Sequence, residues 1–435
     1  MHRWKIVVLI LIIVIVIASG GMIVFKNKTN ADLDKNHQRL IREKYNTTLS
    51  FRYFSKLRNK IDIMEFLLPE GETTSISIDI WNRALLGSIK IEILDGKQNV
   101  LFRQFGRSMN RKNDIKLLGG SYQLKVDFTS AFFGALGLGL KGDIVWCQSL
   151  DESRFTKISP GPEDEFHWPY LIYVPQEIKN ARLMIIPNNT GEFDDFRIHE
   201  EKAKAEILKG AKLADRLGVP LLVPVFPRLK TDWKIYTHAL DRDCLVIDRN
   251  GLKRLDLQLI EMIKNARARL NQQGVTIQEK VFLFGFSASG MFVNRFTILH
   301  PEQVHAVACG APGGWPIAPS SKFQGKKLRY PIGIADIPEL TGMGINIDEI
   351  RKVPMFMFLG EEDNNDSVIY RDSYEKEDET LILALFGKTP QQRWKIAEKL
   401  YQSAGCVSLF KTYQGVGHTI TPEIQEDIVE FFLNQ

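Results

Sequence analysis

At 435 residues, with 44% apolar and 25% charged residues, the chain is long for one domain and too apolar to be disordered overall. Its four cysteines (Cys147, Cys244, Cys309 and Cys406) are widely spaced with no C-x-x-C pair, which excludes a dense disulfide scaffold or a cysteine zinc site and leaves one disulfide open. The net charge of +5 is concentrated near the N-terminus, where Lys26 to Lys60 holds ten Lys/Arg against three Asp/Glu, so the remainder is slightly acidic and offers no basic groove for nucleic acid.

Residues 1–25 read as a membrane-targeting helix. Ile6 to Phe25 carries no charge and Ile6 to Ile17 is all Ile, Val and Leu; roughly 20 apolar residues are enough to span a bilayer. The leading reading is a retained single-pass anchor. The alternative is a secretory signal, charged at Arg3 and Lys5 and cleaved after Val16-Ile-Ala18 or Ala18-Ser-Gly20. Basic residues after the segment outnumber those before it, which on charge alone argues for a cytoplasmic C-terminal part. Signal-like N-terminal segments nonetheless commonly export the chain behind them, and an extracytoplasmic catalytic part is the favoured orientation.

Residues 26–60 form a basic stalk expected to become helical, either solvated or lying against anionic headgroups. Residues 61–150 change character. Thr73 to Ile80, Ser88 to Ile93 and Tyr122 to Phe128 alternate polar and apolar, with turn signals at Pro69-Glu-Gly71, Asp95-Gly96 and Gly119-Gly120. Short alternating strands at this spacing predict a small antiparallel β-sandwich with one wet face. A linker over 151–168 contains Ser159-Pro-Gly-Pro-Glu-Asp-Glu165.

From 169 to 435 apolar strands alternate with amphipathic helices. Strands are predicted at 170–174, 182–186, 220–226, 281–284, 304–309, 353–359 and 407–413, and helices at 200–217, 254–272, 288–299, 391–403 and 422–433. Apolar strands without alternation belong to a mostly parallel sheet covered by helices on both faces, which places chemistry on the loops at the strands' carboxyl ends. One such loop is Gly285-Phe-Ser-Ala-Ser-Gly290, between the apolar run Val281 to Phe284 and a helix. Strand, tight glycine turn, serine and helix make a nucleophile elbow, here with Ser289 in place of the second glycine of G-x-S-x-G. Ser287 is the candidate nucleophile.

A serine hydroxyl needs a base, and the base needs an orienting group. His418 follows the last strand in Gly415-Val-Gly-His418, and Asp363 follows the preceding strand in Gly360-Glu-Glu-Asp363; Asp366 on the same loop is the alternative acid. The order Ser, Asp, His is that of α/β-hydrolases. On these motifs the portion from about Trp168 to Gln435 resembles the α/β-hydrolase superfamily, in particular the esterase branch of polyhydroxyalkanoate depolymerases and feruloyl esterases, in which G-x-S-x-S-G is common at the nucleophile.

The resemblance implies an α/β-hydrolase fold after the sandwich and the N-terminal helix. It also implies an oxyanion hole built from the Ala288 N–H and a donor from Pro187-Asn-Asn-Thr-Gly191, with Asn189 or Thr190 as the best positions. The long insertion 310–352, apolar and containing Trp315, is read as a cap suited to an acyl or aromatic ester. Trp315 and His238, with Arg242, are candidate pocket residues, whereas His300 and His305 are given structural roles. The sequons at Asn188 and Asn365 fall on site loops, where a glycan would block access, and are read as chance matches. No metal or organic cofactor is implied, because no metalloprotease, phosphate-loop or dinucleotide fingerprint occurs. The expected partner is a small or polymeric ester. Peptide cleavage, or a non-enzymatic binding protein on the same scaffold, stands as the alternative.

Overall fold

The computed structural model describes residues 47–53, 61–106, 108–127, 131–142, 144–147, 152–189, 191–249 and 251–435. The targeting segment and most of the stalk lie outside them. Among the described residues no helix is long and apolar enough to cross a membrane. The chain divides into two compact units, one holding most of the N-terminal sheet and the other running from Val145 to Gln435 with the short pieces Met64–Glu72 and Gly119–Tyr122.

The N-terminal sheet is continuous. Its strands are β1 (Thr47–Tyr53), β2 (Ile61–Gly87), β3 (Ile89–Asp95), β4 (Val100–Gly106), β5 (Ser108–Asp127), β6 (Ala131–Lys141) and β7 (Val145–Cys147), in the order β1-β6-β2-β5-β3-β4 with β7 on β2. The predicted alternation holds for the isoleucines, Ile76, Ile78, Ile80, Ile89, Ile91 and Ile93 being buried and Ser75 exposed, but Glu92 is buried between Ile91 and Ile93, where it pairs with Arg103. Two features differ from the expected sandwich. All seven strands belong to one sheet, because Pro69-Glu-Gly71 lies inside the 27-residue β2 and Gly119-Gly120 inside the 20-residue β5. Glycine within a strand permits a bend without ending it. Thr47–Tyr53, placed in the helical stalk by the sequence, is a strand paired with β6. Asp95-Gly96 does turn the chain, with Asp95 Oδ1 accepting from the Lys97 and Asn99 N–H groups at 2.9 and 2.8 Å.

The second unit is built on an eight-stranded sheet. β8 (Phe155–Ile158), β9 (Tyr170–Tyr173), β10 (Met184–Ile185), β11 (Leu221–Pro224), β12 (Val281–Phe286) and β13 (Val304–Gly310) come first in the chain. A separate hairpin, β14 (Lys322–Phe323) and β15 (Lys326–Lys327), precedes β16 (Met355–Gly360) and β17 (Ser408–Tyr413). The order is β17-β16-β13-β12-β10-β11-β9-β8. All neighbours are parallel except β9, which runs against both β11 and β8. β8 lies in the stretch read as linker.

The absence of alternation in these strands has a simple cause. Ile185, Leu222, Leu283 and Met357 enter one apolar core, while their neighbours Met184, Leu221, Phe282 and Phe356 enter the other on the opposite face. Both faces are dry along the inner strands, whose positions are therefore mostly apolar, while the edge strands β8 and β17 keep polar residues such as Lys157 and Lys411. The helices Phe196–Leu217, Leu255–Gln272, Ala288–Leu299, Pro390–Ala404 and Pro422–Leu433 match the predicted ones within a few residues. Strand order reverses at β10: the chain passes outward to β11 and returns on the other side to β12. The crevice beyond such a reversal, at the carboxyl ends of the strands, is where open α/β sheets hold ligands.

Candidate active site

The turn after β12 fixes Ser287 at φ 62° and ψ −124°, a conformation that costs a non-glycine residue on the order of 1–3 kcal/mol and persists only when its surroundings hold it. Those restraints are present. The Ser287 N–H donates to Gly310 O at 2.9 Å, and its carbonyl accepts from Met291 N–H at 3.0 Å. A Cβ at Gly285 would lie 2.2 Å from Ser289 O, and one at Gly290 would lie 2.5 Å from Gly310 O. The close approaches therefore fall on Gly285 and Gly290. Ser289 acts as a staple, its Oγ donating to Phe286 O at 2.9 Å and accepting from Phe286 N–H at 3.0 Å. The helix opened by this turn is buried along its whole length. Its polar side chains are satisfied: Asn294 accepts from Ile317 N–H and donates to Tyr401 Oη, and Arg295 donates to Ala239 O and Tyr374 Oη. Cys309 sits behind the turn with its thiol donating to Gly290 O; burial pushes that thiol up, which removes it as a competing nucleophile.

His418 and Asp363 are brought together by two laced loops. Gly360 ends β16, and a Cβ there would lie 2.2 Å from Val416 O, so only glycine lets the loops meet. Glu361 N–H then donates to Tyr413 O, and Glu362 N–H to Val416 O, each at 2.9 Å. His418 Nδ1 donates to Asp363 Oδ2 at 2.8 Å. Asp363 is 1% exposed, and Gln391 Nε2 donates to its main-chain oxygen at 2.6 Å. With Nδ1–H committed to the carboxylate, Nε2 carries the lone pair, as a general base requires. The Phe286 ring packs against the imidazole, centroids 4.6 Å apart.

Asp366, the alternative acid, is otherwise engaged. It accepts from the fully buried Arg393 guanidinium at 2.5 Å and from Val368 N–H at 3.1 Å.

Between base and nucleophile stands a residue that the sequence motifs do not assign to the machinery. Asn365 Nδ2 lies 3.0 Å from His418 Nε2 and 3.3 Å from Ser287 Oγ. Ser287 and His418 share no direct hydrogen bond; the carboxamide bridges them. In the sequence Asn365 stands out only as a sequon, and the nitrogen a glycan would modify is the one facing Ser287. An asparagine on an acidic loop carries no other signal of such a position.

Around this centre the sequence expectations divide. The Ala288 N–H opens the elbow helix and has no intrahelical acceptor to turn to, as is general for a first helical turn. Asn189 is exposed on the loop after β10, and Thr190 lies outside the described residues. Its neighbour Asn188 is buried and ties that loop to β11, accepting from Phe226 N–H at 3.1 Å and donating to Phe226 O at 2.8 Å. His238 and Trp315 do not line a pocket. His238 is fully buried and donates to Phe226 O at 2.8 Å. Trp315 is 1% exposed, stacked on Phe386 at 4.0 Å, with its Nε1–H on Ile332 O.

Arg242 pairs with Asp336 at 2.7 Å. His300 is paired with Asp256 at 2.8 Å, and His305 bonds the Gln435 main-chain oxygen. Within the insertion 310–352, Ile317, Ala318, Leu328, Tyr330 and Ile332 are fully buried, while 321–322 and 324–327 lie on the surface. The apolar content that suggested a substrate-facing cap is spent on the core. Among the described residues no group of three or more His, Cys, Asp or Glu side chains converges to hold a metal ion.

No family model and no curated protein matches this sequence. Among solved structures the chain is similar to poly(aspartic acid) hydrolase-1 from Sphingomonas sp. KT-1, at 15% identity over 64% of this chain and 97% of that one, TM-score 0.45. It is similar to an arylesterase at 12% identity over 65% and 84%, TM-score 0.36. A Glycosylation Associate Protein complex from Streptococcus agalactiae matches at 13% identity over 91% and 75%, TM-score 0.32. At scores this low, the sheet order and the site geometry carry the reading.

Proposed function

We propose that this protein is a serine hydrolase of the α/β-hydrolase fold that cleaves carboxylic esters through an acyl-enzyme on Ser287. Counted from β8, the sheet reads in the α/β-hydrolase order, with only the second strand reversed. The observation that carries the proposal is the convergence of a strained serine and a carboxylate-oriented imidazole on a single amide nitrogen. Once that amide turns aside, His418 Nε2 takes the Ser287 proton as Oγ attacks the ester carbonyl. The same nitrogen then returns the proton to the departing alcohol. Water repeats the sequence to release the acid. Asp363 holds the imidazole tautomer and stabilises the imidazolium. The Ala288 N–H and a donor from the loop 187–191 face the developing oxyanion, an arrangement in which one donor is worth on the order of 3 kcal/mol.

A fluorophosphonate probe tests this reading. Wild-type protein is expected to label and Ser287→Ala not to; unlabelled wild type beside a labelled control hydrolase would overturn it. Residues 1–25 are proposed to anchor the protein in a membrane with the catalytic unit outside the cytoplasm. Full-length protein should then sediment with membranes, and a chain starting at residue 26 should remain in the supernatant; identical fractionation would reject the anchor.

A further inference from the structure

The Asn365 carboxamide occupies the one position that a substrate's leaving group must take. In acyl transfer the leaving atom is bonded to the carbon that Ser287 Oγ attacks, and it receives its proton from His418 Nε2. It therefore has to sit within reach of both atoms, and Asn365 Nδ2 is there, at 3.3 and 3.0 Å. An amide NH2 has two hydrogens and no acceptor. One hydrogen meets the imidazole lone pair, the same lone pair that must take the serine proton, and the other meets the hydroxyl oxygen. While these bonds last, the imidazole lone pair is occupied by the amide and cannot accept the serine proton.

The surrounding loop favours a movable side chain on a fixed backbone. Asn365 N–H donates to Asp363 Oδ1 at 2.9 Å, closing a turn that aims the carboxamide across the site. On one side the loop is held by Gln391 on the Asp363 carbonyl, on the other by Arg393 on Asp366. Asn365 itself is exposed. Its side chain can swing into solvent without leaving a cavity, which frees the His418 Nε2 lone pair to take the Ser287 proton.

We infer that Asn365 is a plug in the leaving-group subsite, which each substrate displaces before acylation. The inference rests on the hydrolase reading of the same site. Its consequence is that the resting enzyme is restrained by its own side chain, and that removing the side chain speeds the first chemical step.

The experiment is the second-order rate of fluorophosphonate labelling, and kcat/KM for p-nitrophenyl acetate, on the full-length wild type, Asn365→Ala, Asn365→Ser and the control Asn364→Ala. In labelling, the phosphorus–oxygen bond to Ser287 forms as fluoride leaves. Loss of two neutral hydrogen bonds predicts labelling and kcat/KM raised from about five-fold to about a hundred-fold in both Asn365 variants. Asn364→Ala should match wild type, and melting temperatures should be unchanged throughout. Equal rates in all four proteins would overturn the plug and leave the hydrolase reading standing. Slower labelling in the Asn365 variants at unchanged melting temperature would also overturn it, making Asn365 a positioning residue for the base. No labelling in any of them would overturn both.

Discussion

Asp363 and Asp366 lie three residues apart on one acidic loop, and their partners give them opposite tasks. Asp363 faces an imidazole that is 30% exposed, and Asp366 faces a guanidinium that is fully buried. Asp363→Asn should therefore cost turnover rather than stability, a loss of about 10⁴ in kcat if the orienting carboxylate acts as it does in serine proteases. Asp366→Asn should cost stability, about 3–5 kcal/mol, because a buried charge loses its counter-charge. Ester turnover beside thermal melting separates the two; the reverse pattern would exchange their roles. At this scale the sequence is informative where a residue's place follows from a strand end. Ser287, Asp363 and His418 each lie on the short loop that follows a predicted strand. Asn365 is illegible because its place depends on the loop's own turn and on the side chains that pin it, neither of which leaves a periodic trace.

The elbow is the element on which the site depends, and its glycines differ in kind from its serine. At Gly290 an added Cβ would strike the Gly310 carbonyl, a backbone atom with little freedom to yield. Gly290→Ala should push the elbow helix off β13 and cost about 1–3 kcal/mol together with nearly all labelling of Ser287. A Gly290→Ala protein that melts and labels like wild type would mean the turn is more pliant than its contacts imply.

Helix limits are readable because caps are local: Thr389 and Thr421 accept from the N–H groups of Gln392 and Ile424, and a proline follows each. The helix Lys376–Leu385 is not among those predicted. Its first turn is almost wholly acidic, and Glu375 and Asp378 form a reciprocal capping box there. The apolar insertion misleads because hydrophobicity records that a side chain is buried and not what it is buried against.

For the whole molecule, alternation and its absence each told the truth about the faces of a sheet. The isoleucines of β2 and β3 alternate with more exposed neighbours, and the inner strands of the second unit do not alternate because both their faces are covered. The number of sheets was not legible, since a bend inside a long strand and a turn between two short ones use the same glycines.

The lacing of the loops that carry Asp363 and His418 has a practical consequence. The carboxylate and imidazole are fastened to each other by main-chain bonds that do not involve Ser287 at all. Deleting the serine hydroxyl should leave a correctly shaped but inert cleft, so Ser287→Ala combined with Asn365→Ala makes bait: an unplugged enzyme able to hold its natural ester without consuming it. The compound it retains from an extract of small metabolites and polymers, identified by mass, would name the substrate.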